Sequence, residues 1–440
     1  MNSTPNLRYA WYVVAVLMLA YISSFIDRQV LTLLVKPLKR DFNVTDTQVG
    51  LLIGFSFAIF YTFLGIPIGR MADRKNRKRI IVWGITIWSI MTALCGVTGS
   101  YNQLFIARVG VGIGEAALSP AAYSLITDLF PRQKLGTALG IYNIGVYLGS
   151  GLSILLVALI LKLVSVEGTW SIPFFGDIYP WQSVFFIVGI PGLLIVALIA
   201  FTIKEPERQN ASKAAVSTQE VKRYFAANRP AILCLFFGIA FMAFGSYATT
   251  SWTPTLLVRH YGLTEAQAGL LLGSIVTIFS TGGVIVGGRY SDRLTQQGKA
   301  DAKMRVGFIG MSIGLFLALV VLIFFTLTPA PIQGFVVLLA LCCFATSMPY
   351  GAATAAVQEM IPAPMRATFS ALFLFVVNLL GLGGGPLMVG LLNDKLFHDP
   401  NQVHLSFAIT LVMATGLSCF LLYTGLKPFV QSIENAKAES

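Results

Sequence analysis

Four ionisable side chains stand inside long apolar stretches of this 440-residue chain. They are Asp27 and Arg28, in Tyr21-Ile-Ser-Ser-Phe-Ile-Asp-Arg-Gln29, and Arg108 and Glu115, in Arg108-Val-Gly-Val-Gly-Ile-Gly-Glu115. A charge in hydrocarbon costs at least about 2.5–3.5 kcal/mol unless it is paired or faces water, so each of these residues demands a partner or a task. Two carboxylates and two guanidiniums can neutralise one another, take up and return a proton, or hold an anion, since the arginine fork matches carboxylate and phosphate geometry. Asp27-Arg28 also admits a plainer reading as a self-compensating ion pair near the outer interface.

Composition says what must position them. With 56% hydrophobic residues, 11% charged residues and a mean hydropathy of +0.76, the chain is far more apolar than a soluble domain, which carries roughly 25% charge. Lipid must therefore be its solvent. Apolar runs of about 20 residues or more recur about twelve times, roughly at 10–36, 48–69, 80–99, 102–128, 136–164, 181–203, 230–258, 264–288, 306–328, 332–358, 366–391 and 404–427. The expected fold class is all-α, an integral membrane protein of twelve transmembrane helices. The first run begins at Tyr9 and continues past Arg28 without a small-residue cleavage site, so it reads as a retained span.

At 1.5 Å per residue, Asp27 and Arg28 lie roughly 25 Å from the inner end of the first span, while Arg108 and Glu115 lie roughly 9 Å and 20 Å below the outer end of the fourth. All four then fall in one layer. Arg108 and Glu115 are seven residues apart and share a helix face. Gly110, Gly112 and Gly114 leave little bulk around them, with Gly110 and Gly114 at the spacing that brings two helices close. Glu115 is the first candidate for a proton acceptor, because burial and a neighbouring guanidinium act on a carboxyl in opposite senses and make its protonation responsive to conformation. Asp27 is the second. Arg28 or Arg108 supplies the counter-charge, and Arg28 can contact an anionic head group.

A second signal is a dense polar run, Gly69-Arg-Met-Ala-Asp-Arg-Lys-Asn-Arg-Lys-Arg79, which returns in reduced form as Gly288-Arg-Tyr-Ser-Asp-Arg293, 219 residues on. The same offset aligns Phe42-Asn-Val-Thr-Asp-Thr-Gln-Val-Gly-Leu-Leu-Ile-Gly54 with Tyr261-Gly-Leu-Thr-Glu-Ala-Gln-Ala-Gly-Leu-Leu-Leu-Gly273. Two aligned blocks at one offset indicate a duplicated chain with equivalent halves. The expected boundaries are an amino-terminal six-helix bundle over 1–203, a linker with an amphipathic helix over 204–229, and a carboxy-terminal bundle over 230–440. In the polar run, small residues at Gly65 and Gly69 permit close helix approach, and Asp73 can accept bonds from a facing helix N-terminus or an arginine in one conformation and lose them in another. Gly69, Asp73, Arg74 and Arg77, with Asp292 and Arg293, are the candidate gating residues. Asp128 and Glu359, ending spans four and ten, are candidate latches or solvated helix termini. Gly145-Val-Tyr-Leu-Gly-Ser-Gly151 and Gly381-Leu-Gly-Gly-Gly-Pro386 read as glycine-rich breaks in spans five and eleven.

The net charge of +12 has a topogenic source and calls for no nucleic acid. With the N-terminus cytoplasmic, about 23 of the 31 Lys and Arg fall on the cytoplasmic side and about six outside, as the positive-inside rule requires. Both termini are placed inside. The five cysteines lie in apolar runs without metal-ligand spacing, and His260, His398 and His404 sit in or beside outer loops, so no metal and no cofactor are expected. There is no Ser-His-Asp arrangement and no acidic metal motif, which excludes an enzyme.

Twelve spans in two halves, with Gly69-x-x-x-Asp73-Arg74-x-x-Arg77-Lys78, resemble the major facilitator superfamily. Within it, Asp27-Arg28, Asp73-Arg-Lys-Asn-Arg-Lys78, Val111-Gly-Ile-Gly-Glu-Ala116, Leu148-Gly-Ser-Gly-Leu152 and Lys204-Glu-Pro-Glu-Arg208 are most similar to the spinster family, whose animal members export sphingosine-1-phosphate and lysophospholipids. The resemblance implies a proton-driven lipid transporter, a monomer of the bacterial inner membrane, with Asp27, Arg28 and Glu115 matching the family's charged cluster. Ala72 and the short outer loops point to a bacterial member. Organic-anion symporters of the same superfamily share the Asp-Arg pair and Gly-Glu-Ala, so the alternative substrate is a small organic anion such as a sugar acid. The expected partners are thus a lipid or small-molecule anion, protons and membrane lipids.

Overall fold

In hydrocarbon every backbone N–H and C=O must be satisfied within the chain, which leaves long helices as the way to thread so apolar a sequence through a bilayer. The computed structural model describes residues 7–163, 170–172, 176–206, 218–327, 331–362 and 365–438. Its helices in chain order are α1 (Leu7–Leu33), α2 (Val35–Phe42), α3 (Asp46–Gly50), α4 (Ser56–Arg74), α5 (Arg77–Cys95), α6 (Tyr101–Glu115), α7 (Leu118–Leu129), α8 (Arg132–Leu163), α9 (Ser183–Thr202), α10 (Thr218–Ala227), α11 (Arg229–Tyr261), α12 (Glu265–Ile275), α13 (Thr281–Gln296), α14 (Ala302–Leu327), α15 (Ile332–Ser347), α16 (Tyr350–Met360), α17 (Arg366–Val376), α18 (Gly385–Leu392) and α19 (Val403–Ala438). Ten helical stretches are long and apolar enough to cross a membrane, and the shorter Gly149–Leu163 and Ile332–Ser347 bring the described set to twelve. Large apolar side chains such as Phe201, Leu163 and Ile106 are 89%, 86% and 70% exposed, an arrangement that lipid stabilises and water would not.

The all-helical expectation holds for the spans, with one addition. Trp170–Ile172 and Gly176–Ile178 pair as a two-stranded antiparallel hairpin in the loop after span five. The loop after span one, carrying Lys36, Lys39 and Arg40, is itself helical, as α2. That helix buries Val35, Pro37 and Leu38 and stops at Asn43, whose φ of 49° is in the left-handed region that asparagine tolerates.

Two spans are broken at matching places. Pro120 has no N–H and its ring crowds the carbonyl of Ala116; α6 accordingly ends at Glu115 and α7 begins at Leu118. Pro349 does the same between α15 and α16. Span five, expected to break at its glycines, is instead one continuous helix, α8. Gly145 and Gly149 serve approach rather than bending there, since a Cβ on either would meet α1 at Met18, Ile22 or Phe25. In span eleven the glycine run does disturb the helix, as a π-helical stretch over Val377–Gly384.

The chain clusters into two units. Unit one comprises 1–45, 55–213 and 263–274; unit two comprises 46–54, 214–262 and 275–440. The blocks that leave their own half are the starts of spans two and eight, aligned by the 219-residue offset. A π-helical turn overlaps the end of the first, at Leu51–Phe55, and one comes just after the second, at Val276–Ser280. Unit two has an apolar core built on Phe236, Phe369, Phe373 and Phe429, sealed by Tyr224, whose hydroxyl donates to the Met360 carbonyl at 2.5 Å.

Candidate functional site

In unit one, glycines set how closely the helices of the site approach. A Cβ on Gly84 would lie 2.8 Å from the Gly114 carbonyl oxygen, and one on Gly114 would lie 2.7 Å from that of Gly84, so α5 and α6 cross backbone to backbone. On another face of α6, a Cβ on Gly112 would lie 2.7 Å from the Phe57 carbonyl of α4. Gly110 abuts Met91. The helix carrying Arg108 and Glu115 is thus pressed between α4 and α5, as its small residues require. Gly65 and Gly69 show no such constraint among the described residues: none lies within 4 Å of a Cβ on Gly65, and Pro120 lies 3.7 Å from one on Gly69.

The four intramembrane charges form two pairs. Arg28 Nε donates to Glu115 Oε2 at 2.8 Å, and Nη2 lies 2.7 Å from the same oxygen in the ion pair. Glu115 is fully buried and the Arg28 side chain is 10% exposed. Asp27, one residue earlier and so about 100° around α1, is turned away. Its backbone carbonyl accepts from Arg108 Nη1 at 3.0 Å. Arg108 therefore meets the backbone of Asp27 and not its carboxylate in a direct hydrogen bond among the described residues. Asp27 Oδ1, Arg108 Nε and Nη2, Glu115 Oε1 and Thr92 Oγ1 are all buried without a hydrogen-bond partner among the described residues. Buried polar atoms are usually satisfied, and a cluster of exceptions marks a place built for water, a proton or a ligand.

Sequence reasoning missed the aromatic box. The Arg28 guanidinium lies 4.9, 4.6 and 5.0 Å from the ring centroids of Phe25, Phe57 and Tyr61. Tyr21 stacks on Tyr142 at 4.9 Å, and Tyr123 meets Tyr142 edge-on at 5.4 Å. The signal was available in principle, because Phe25 and Arg28 are spaced i, i+3 and Phe57 and Tyr61 i, i+4. Rings faced by a guanidinium contribute cation–π attraction, stronger when desolvated.

Of the gating candidates, Arg77 is the centre of a network. Only 1% exposed, it bonds Asp128 through Nη1, Glu205 through Nε at 2.7 Å, Ser124 Oγ and carbonyl at 3.2 Å, and the Pro206 carbonyl at 3.0 Å. Glu205 also accepts from the Lys78 backbone N–H at 2.8 Å. The side chains of Asp73 and Arg74 lie outside the described residues. Asp292 and Arg293 stand exposed on α13, and among the described residues nothing lies within 4 Å of a Cβ on Gly288. Glu359, the counterpart of Asp128, pairs with Lys303 at 2.7 Å.

The chain is similar to an MFS-type efflux pump of Mycolicibacterium smegmatis, 29% identical over 427 residues that cover 94% of this chain and 92% of that protein. It is 26% identical over 413 residues to protein spinster homolog 1 of Xenopus laevis, covering 89% and 74% of the two chains. Among solved structures it resembles the crystal structure of a bacterial homologue of the human lysosomal transporter spinster, with a TM-score of 0.78, 27% identity and 99% of each chain covered. Residues 17–386 match the family model of the Major Facilitator Superfamily. The twelve spans, the duplicated polar run and this match together make the chain a member of the Major Facilitator Superfamily, a membrane transporter and not an enzyme.

Proposed function

We propose that this transporter moves an amphipathic anionic lipid, a lysophospholipid or a sphingosine-1-phosphate-like molecule, across the membrane by alternating access coupled to protons. The observation that carries the reading is the Arg28–Glu115 pair within its aromatic box. An anionic head group has the chemistry to replace Glu115 on Arg28, and a proton on Glu115 frees the guanidinium for it. The surrounding rings offer apolar faces to the adjoining chain. Asp27 and Arg108 form a second charged pair of groups whose unsatisfied atoms suit a proton's path. Similarity to spinster proteins extends across nearly the whole chain, and a lipid cargo is what the spinster resemblance implies. A small organic anion such as a sugar acid is the second reading, favoured by the same guanidinium fork, which suits a carboxylate as well as a phosphate.

The gating role belongs to Gly69, Asp73, Arg74 and Arg77, with Asp292 and Arg293, as the closure of the cytoplasmic side; the bonds of Arg77 support it. The Lys and Arg bias supports both termini being cytoplasmic, while a monomer in the bacterial inner membrane is carried over from the superfamily by analogy; the chain is read as 1–203, a linker over 204–229, and 230–440.

The test is thermal stabilisation of the purified protein by lysophospholipids, sphingoid phosphates and sugar acids at about pH 5.5 and about pH 7.5, since a ligand of the native state raises its stability with concentration. A shift with lysolipids, weakened in Glu115→Gln, supports the proposal. A shift with sugar acids alone replaces it with the organic-anion symporter, and no shift with any of them overturns both.

A further inference from the structure

In unit one, α5 turns Trp88, Ser89 and Thr92 to one face, since the first and last are four residues apart and the last two are three apart. All are buried, and Trp88 Nε1, Ser89 Oγ and Thr92 Oγ1 have no hydrogen-bond partner among the described residues. Within a helix a threonine hydroxyl commonly returns to the carbonyl four residues back, as Thr86 does on the same helix, donating to the Val82 carbonyl at 2.8 Å. Thr92 does not. α9 packs on this face through Gly189, where a Cβ would lie 3.3 Å from that of Thr92, and through Gly192, beside Ser89. At neither point does it bring a polar side chain.

What Thr92 faces is Asp27. Its hydroxyl approaches the Asp27 carboxyl, yet neither it nor Asp27 Oδ1 completes a hydrogen bond among the described residues. Arg108 commits Nη1 to the Asp27 backbone carbonyl at 3.0 Å and keeps Nε and Nη2 buried without a partner among the described residues. An acceptor oxygen from α1, a hydroxyl from α5 and N–H donors from α6 thus gather in one place. A buried water makes about three hydrogen bonds and settles where polar groups are otherwise unsatisfied; one here accepts from Arg108, donates to Asp27 Oδ1 and bonds Thr92. A hydroxyl both donates and accepts, so Thr92 can hold that water whether or not the carboxyl carries a proton. The charged and titratable groups acting on Asp27 are Glu115 and Arg108 of α6, Arg28 beside it on α1, and Cys95 of α5.

We propose that one bound water joins Asp27 Oδ1 to Arg108 and that Thr92 holds it, which makes Thr92 a positioning residue for the proton on Asp27. The consequence for transport rests on the proton coupling proposed above; the water itself needs neither substrate nor gradient to be detected. The arrangement also gives a reason for Arg108 to bond the backbone of Asp27. A guanidinium held one water away from the carboxylate stabilises its charge without occupying the oxygen that a proton must reach.

The experiment is infrared difference spectroscopy of the full-length protein in lipid films, titrated from alkaline to acid pH in ordinary and in heavy-oxygen water. The carboxylic C=O band lost in Asp27→Asn belongs to Asp27. An O–H band that moves in heavy-oxygen water and is lost in the same variant belongs to the bound water. Thr92→Val, close to isosteric, should abolish the water band and move the Asp27 C=O band to higher wavenumber. Thr92→Ser should restore both, and Thr86→Val, which removes a hydroxyl spent within its own helix, should change neither. In vesicles Thr92→Val should shift the pH midpoint of gradient-driven flux by about one unit, the effect of one hydrogen bond to a charged group. A wild type without an Asp27-dependent water band, or a Thr92→Val variant that keeps it, overturns the proposal. So does failure of Thr92→Ser to restore the bands, because the threonine would then matter for its methyl group alone. Moved bands with a wild-type pH profile overturn the positioning role, whereas a wild type without gradient dependence removes the proton coupling and leaves the bands as they are.

Discussion

Arg28 places both Nε and Nη2 on a single oxygen of Glu115, Oε2, while Oε1 remains buried without a hydrogen-bond partner among the described residues. An arginine fork more often spans both oxygens of a carboxylate. The lopsided arrangement leaves one oxygen of a desolvated carboxylate for a proton.

Glu115→Gln is therefore expected to keep an acceptor oxygen for Arg28 while losing the titratable group. Transport driven by a proton gradient should fall to background in reconstituted vesicles, while ligand binding or exchange remains measurable. Full gradient-dependent flux in this variant would remove Glu115 from the coupling step.

Arg28→Ala is a different perturbation, because it strands a buried carboxylate. Removing one partner of a buried pair costs about 3–5 kcal/mol, so the unfolding temperature should drop markedly. Arg28→Lys should recover part of that stability, since a lysine restores the charge but not the planar fork or its stacking on Phe25, Phe57 and Tyr61. Equal unfolding temperatures for the two variants would mean that the box contributes nothing.

Arg77→Ala removes one guanidinium from Asp128, Glu205, Ser124 and Pro206 together. A loss of about 3–5 kcal/mol is expected. Adding Glu205→Gln to Arg77→Ala should cost less than the two single losses combined, as residues of one network are coupled. Strict additivity in denaturant titrations would show that the contacts act independently.

The glycines give a contrast. Gly84→Ala drives a methyl to 2.6 Å from the Ala117 Cβ and 2.8 Å from the Gly114 carbonyl, and overpacking of this kind costs about 1–3 kcal/mol. Gly288→Ala meets open space in this structure and gains helix propensity of up to about 1 kcal/mol. If Gly288 serves closure in another conformation, that variant should unfold no lower than the wild type and yet transport more slowly. Wild-type flux would leave its glycine without a gating role.

Much of this was legible from the chain because charge in hydrocarbon is conspicuous. Asp27, Arg28, Arg108 and Glu115 stood out against their surroundings, and helix rise alone put them at one depth. What each one faces was not legible, since it depends on a rotation of about 100° between Asp27 and Arg28. The aromatic box was hidden for a related reason: Phe57 is 1% exposed and Phe63 is 53% exposed, yet hydropathy scores them alike. Pro120 and Pro349 were visible, but prolines are also tolerated within membrane helices, and the breaks emerged only with the backbone. The start of span two draws its acceptors from Asp394, which takes the backbone N–H groups of Asp46 and Thr47, some 348 residues away.

The exchanged segments bear on how the protein is made. Unit one contains Leu263–Ser274, where a Cβ on Gly269 would fall 2.7 Å from that of Ala158, and Gly273 sits against Leu155. A ribosome that has delivered every earlier helix of that unit has still to synthesise its last piece, which emerges beyond α11. Unit two in turn needs Asp46, held by Arg259 at 2.7 and 2.8 Å and by Asn393 at 2.6 Å. Neither unit is complete as a continuous translation product, so a gene divided within the linker should yield two fragments that accumulate only when they are co-expressed.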